Sequence, residues 1–369
     1  MNEKKVFQRF IGCIISTFLT GTIMVAGLIL VVDPFYQYHS PWLDIPIILD
    51  DAVYQTAGAS RNLEYDSAIV GTSMTENFHT SWFDEELGWN TMKLSYSGAR
   101  TNDLQAIFGE LEEHDGEIQN IFMDLNDYQL TSIAWTAYVE RPHHLYDNNL
   151  LNDYKYLFNQ DVLTLSIERT VSALKGAEDN IDTAYTWEDE ALFGREITLD
   201  TCSALRTELM SQRENAGIPY YLVDDTLTEE IQNKYTVCQD NLDNITPYIE
   251  AHPETRFYII VPPYSMLYWE QEVLSGTLED TIAIYYYALS RLAEYDNVQI
   301  YYFQNETDII TNLDNYRDSC HHTPEFNRYM FDCVINNQNL LTTDNCETLL
   351  TDMYYFAKEY PYETLWKTE

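Results

Sequence analysis

Ser67-Ala68-Ile69-Val70-Gly71 runs straight into Thr72-Ser73-Met74-Thr75-Glu76-Asn77-Phe78: a short apolar run, a glycine, then hydroxyl residues. Further apolar runs occur at residues 91–94, 118–125, 257–261 and 298–303. Apart from 91–94, a weaker candidate strand, they are largely apolar on consecutive positions, and each closes on a turn. That pattern suits parallel strands buried on both faces. Amphipathic segments lie between them, at 101–113, roughly 226–251, 278–295 and 324–336. Strand then helix, repeated, predicts an α/β fold: a three-layer α/β/α sandwich with a mainly parallel sheet. Ligands of such sheets sit beyond the carboxyl ends of the strands, so the chemistry is sought in the residues just past each strand.

Upstream, Lys4, Lys5 and Arg9 precede residues 11–32, 22 positions without a charged side chain. As a helix this run is about 33 Å long, enough for a bilayer core of roughly 30 Å. A cleaved secretory signal shares the basic start and the apolar run. The length, and the absence of a small-x-small site in Val31-Val32-Asp33-Pro34, favour an uncleaved anchor. The basic flank (1–10) is expected on the cytoplasmic side and everything after the span (11–32) outside. Residues 33–60, with Pro34, Pro41 and Pro46, read as a linker and lead-in. The main domain is expected over 61–345, with a helical insertion at about 130–245, and a helical tail over 346–369.

Composition narrows the function. Among 369 residues, 60 Asp plus Glu face 20 Lys plus Arg, a net charge of −40. Such a surface repels phosphate backbones, which argues against nucleic acid, and gives anionic lipid headgroups no electrostatic hold. At 45% apolar, the chain has enough for a sizeable core. Cys13 lies in the span; the other five cysteines form an odd set without a CxxC pair, so no zinc ribbon is suggested.

Two segments carry candidate chemistry. Ser73, two residues past Gly71 at a strand-to-helix turn, would stand where backbone N–H groups stabilise an oxyanion; the plainer reading is a helix cap. Far downstream, Asp318-Ser319-Cys320-His321-His322-Thr323-Pro324-Glu325 puts Asp and His three apart, just before a helix opened by Thr323 and Pro324. There a carboxylate can hold Nδ1 of His321 and leave Nε2 for a serine proton. The plainer reading is a surface turn. Tyr264, in Pro262-Pro263-Tyr264-Ser265, is expected to border the same cleft, as packing or as strand exit. Arg100 reads as an anion contact or as a partner for helix acids. The divergence of adjacent histidines argues against zinc at His321 and His322, and no metal or cofactor is expected. Glycoside-hydrolysing carboxylate pairs carry little information among 60 acids. Acidic loops are compatible with loose calcium binding, but no EF-hand pattern is present.

Serine after the first strand and Asp-x-x-His before the last helix is the chain order of the SGNH (GDSL-type) hydrolase superfamily, which residues 64–340 resemble. The sequence is most similar to the membrane-anchored, extracytoplasmic branch, alongside the D-alanyl transfer protein of teichoic acid synthesis and alginate O-acetylation proteins. The resemblance implies Ser73 as nucleophile, His321 as general base and Asp318 as its orienting carboxylate. Gly98, in Leu94-Ser95-Tyr96-Ser97-Gly98, matches the oxyanion-hole glycine. Asn126, in Asp124-Leu125-Asn126-Asp127, matches the side-chain oxyanion donor. Thr72 stands where the first block usually has Asp, and Asp124 where the third has Gly. The second departure places a carboxylate beside developing negative charge unless it points away. The implied function is an esterase or O-acyltransferase acting on acylated envelope glycan or teichoic acid, with a membrane acyltransferase as a candidate partner. The alternative is a degenerate domain that binds glycan or scaffolds such an enzyme; a plain acidic adhesin would leave the three residues scattered.

Overall fold

The computed structural model describes residues 3–133, 140–147, 149–187 and 192–367. Along the chain come α1 (Glu3–Val32), α2 (Ala52–Asn62), β1 (Ser67–Val70), α3 (Ser73–Glu76), α4 (Thr80–Leu87), β2 (Thr91–Lys93) and α5 (Thr101–Leu111). Next are β3 (Asn120–Asp124), α6 (Asp127–Thr131), α7 (Tyr154–Leu157), α8 (Gln160–Leu174), α9 (Arg195–Ala216), α10 (Ile231–Leu242) and α11 (Thr246–Ala251). The last are β4 (Arg256–Val261), α12 (Met266–Ser275), α13 (Leu278–Leu292), β5 (Val298–Tyr302), α14 (Thr307–Ile310), α15 (Pro324–Ile335), β6 (Leu340–Leu341) and α16 (Cys346–Glu359).

The chain divides into two compact units. The larger holds residues 65–109, 116–140 and 185–369, and with them the whole sheet. Its strands run in the order β2-β1-β3-β4-β5-β6; the first five are parallel and β6 joins antiparallel at the edge. Every residue of β1, β2 and β3 is buried. Successive side chains point to opposite faces, so both faces are covered. Ile69, Phe122, Ile260 and Tyr301 form one face against Phe83 of α4 and Met330 and Phe331 of α15. Phe257, on the other face, meets the Tyr248 ring of α11, itself stacked on Phe108 of α5. The three-layer α/β architecture expected from the apolar runs is the one observed.

The smaller unit comprises residues 1–64, 110–115 and 141–184. The expected insertion over 130–245 is thus divided, with 141–184 in this unit and the remainder with the sheet. The lead-in is not wholly extended either, because α2 occupies its second half. Its small residues explain this: Ala57, Gly58, Ala59 and Ser60 are all buried. A Cβ on Gly58 would come within 2.1 Å of the Phe35 carbonyl oxygen. Gly58→Ala should therefore destabilise this unit by about 1–3 kcal/mol or more through overpacking, read as a lowered unfolding midpoint. α1 is long and apolar enough to cross a membrane.

Candidate active site

β1 ends at Val70, and Gly71 turns the chain with φ +147°, a conformation open to glycine. Space also demands glycine there, since a Cβ would lie 2.0 Å from Asp124 Oδ1. The Thr72 side chain then caps α3 by accepting from Met74 N–H, which leaves Ser73 as the first residue of the helix. The plainer expectation, a cap at Ser73, is not met. The cap is Thr72, and Ser73 is released to face a cavity.

Ser73 Oγ lies 2.8 Å from His321 Nε2. His321 Nδ1 lies 2.7 Å from Asp318 Oδ2. A carboxylate only accepts, so the ring hydrogen sits on Nδ1 and Nε2 accepts from the Ser73 hydroxyl. Asp318 Oδ1 accepts two further bonds, from Cys320 N–H and His321 N–H, each 2.8 Å. Burial works to raise the Asp318 carboxyl; the hydrogen bond and charge of His321, with those N–H groups, outweigh it and hold it below the usual range. Residues 248 positions apart in the chain thus meet in one hydrogen-bonded line.

Neighbouring elements fix that line. Ser265, just past β4, donates from both N–H and Oγ to the Ser319 carbonyl, 2.9 Å each. Asn327 of α15 donates to the Met74 carbonyl at 3.1 Å and ties the histidine-bearing segment to the Ser73 turn. His322 is buried against Phe326 with Nδ1 3.1 Å from the Thr323 carbonyl oxygen, and burial pulls its pKa down to about 4. A cavity of about 470 Å³ adjoins Ser73 and His321. Gly98 and Asn126 give it polar lining; Met74, Tyr128 and Tyr264 give apolar lining. Tyr264 accordingly borders the cleft, whereas the Arg100 guanidinium stacks on the Tyr128 ring at 4.6 Å.

Asp124, the carboxylate expected beside Asn126, is engaged within the fold. Its buried carboxylate accepts from Thr72 N–H (2.8 Å), the Thr72 hydroxyl (2.7 Å) and Asn126 Nδ2 (2.7 Å). Burial raises its pKa against those three bonds. The carboxylate is therefore engaged by Thr72 and orients the Asn126 amide, whose Oδ1 accepts from Gln129 N–H. Asp124→Ala should leave these buried donors unsatisfied at about 1–3 kcal/mol each. Asp124→Asn, which keeps one acceptor oxygen, should cost less; paired thermal unfolding curves check the order.

Two contributors leave no mark in the sequence pattern. Trp187 donates from Nε1 to the Ser73 carbonyl at 3.2 Å and sets its ring edge-on to His321, centroids 5.6 Å apart. A single tryptophan in an acid-rich stretch gives no signal. Glu76, buried on α3, accepts from Ser97 Oγ at 2.9 Å, while Lys93 Nζ donates to the Glu76 carbonyl. Burial pushes the Glu76 carboxyl up to about 7, against the Ser97 bonds and the Lys93 and His321 charges. Asp127, near Glu272, is pushed to about 7 as well, first by burial. A raised carboxyl pKa means the folded state holds its proton more tightly, so stability falls as pH rises from the ordinary value through 7. The urea midpoint should be higher at pH 5 than at pH 8, and Glu76→Gln should flatten that slope by on the order of 1–3 kcal/mol.

Neither the protein-family models nor the curated proteins compared with this chain give a match.

Proposed function

We propose that this chain is a membrane-anchored serine esterase or O-acyltransferase of the SGNH type, acting on acylated envelope glycan or teichoic acid. The observation that carries the reading is the Ser73–His321–Asp318 line at 2.8 and 2.7 Å. His321 takes the Ser73 proton as Oγ attacks an acyl carbonyl, and Asp318 stabilises the imidazolium that forms. Asn126, which lines the cavity, has one Nδ2–H on Asp124 and supplies the other as an oxyanion donor in this reading. With the Gly98 and Ser73 N–H groups it forms the oxyanion site. The acyl group rests on Ser73 as an ester, and His321 returns its proton to the leaving oxygen. Water then gives an esterase, and a sugar or polyol hydroxyl gives a transferase.

The anchor supports a substrate in the envelope: with Lys4, Lys5 and Arg9 held in the cytoplasm, the sheet unit faces the outside. The test uses the full chain in detergent with an activated acetyl ester. Ester turnover, together with an acid-quenched intermediate heavier by one acetyl group on the Ser73 peptide, is the expected result. Absence of both in folded protein would favour the degenerate, glycan-binding reading.

A further inference from the structure

Membrane register leaves α1 little freedom. The uncharged run begins just after Arg9 and ends before Asp33, and a hydrocarbon core takes about 20 helical residues. Sliding the span toward its N-terminus would draw Arg9 into lipid, so Val25 and Ile29 belong to the leaflet at the C-terminal end of α1. Those two residues are covered by protein. Ile29 is fully buried, and Val25 packs in the same cluster with Leu157 of α7 and Val162 and Leu163 of α8. Whatever rests on that part of α1 shares its depth in the bilayer.

The segment that rests there is unusually greasy on its open side. Leu150 and Leu151 are 79% and 86% exposed, and Tyr154 and Phe158 are more than half exposed. The turn carrying the leucines closes on itself: Asn149 N–H and Asn152 Nδ2 donate to Asp147, and Leu151 N–H donates to Asn149 Oδ1. These three bonds hold the turn while both leucines project outward. Trp42, exposed past the span with Leu43 beside it, adds an aromatic of the kind that populates a membrane boundary.

We infer that the 150–158 segment, α7 included, inserts its apolar side chains into the lipid interface beside α1, making the smaller unit a membrane-embedded footing. The inference rests on α1 being a span. The hold is apolar burial, in keeping with a net charge of −40 that gives anionic headgroups nothing to bind. A photoreactive benzophenone amino acid placed singly at Leu151, Phe158, Ile23 or Glu178 of the full chain, irradiated in its native membrane, tests it. Leu151 and Phe158 should give lipid adducts at a yield comparable to Ile23 and about tenfold above Glu178, a charged exposed position of the same unit. Lipid adducts at Ile23 alone, with a protein adduct or none at Leu151 and Phe158, would overturn the inference and leave the span standing. No lipid adduct at Ile23 would remove the span and the inference together.

Discussion

Ser73→Ala is expected to lower ester turnover by about 10⁴–10⁶-fold, the range for loss of a serine nucleophile whose base and oxyanion site remain. Ser73 lies on a cavity wall, and among the described residues its side chain bonds to His321. Its side chain is therefore dispensable for folding, and the unfolding midpoint should shift by about 0.5 kcal/mol or less. Activity and stability separate cleanly in this variant. Unchanged turnover in the folded mutant would remove Ser73 from the chemistry.

Asp318→Asn is the second large effect, about 10⁴-fold in kcat with KM little changed. Asn can still accept the Cys320 and His321 N–H bonds through its oxygen, so the loop is retained. What changes is the atom facing His321 Nδ1, now an amide N–H. The imidazole answers by moving its hydrogen to Nε2, and the nitrogen facing Ser73 becomes a donor that cannot take the serine proton. The loss should be largest near neutral pH and shrink where hydroxide replaces the base. An equal loss at all pH values, accompanied by a lowered unfolding midpoint, would instead indicate a structural carboxylate.

The sheet is legible in the sequence because most of its parallel strands are buried on both faces, which writes β1, β3, β4 and β5 as largely apolar runs. β2, Thr91-Met92-Lys93, is fainter. β6 is not legible: Leu340–Leu341 is two residues long, too short to carry any period. α2 hides behind the prolines of residues 33–60, since its packing depends on Gly58 meeting the Phe35 backbone and not on an apolar stripe. At the site, Gly71-x-Ser73 and Asp318-x-x-His321 are readable because each spacing is local: a tight turn, and three residues around one carboxylate. Asp124 is the residue whose sequence context misleads. In the chain it is an acid two residues from Asn126, a threat to the oxyanion, whereas three donors, two of them on Thr72, engage it within the fold. Thr72 itself reads as a lost acid, yet its N–H and hydroxyl are what bind Asp124. Trp187 depends on a long-range return of the chain that no local pattern announces.

The most direct measurement is the site of covalent labelling by a fluorophosphonate, which reports a serine activated by its own base. Peptide mass mapping of the labelled full chain should place the adduct on Ser73 alone. Labelling should vanish in His321→Ala while the protein stays folded. An adduct on another serine, or labelling undiminished in His321→Ala, would contradict a nucleophile activated by this histidine.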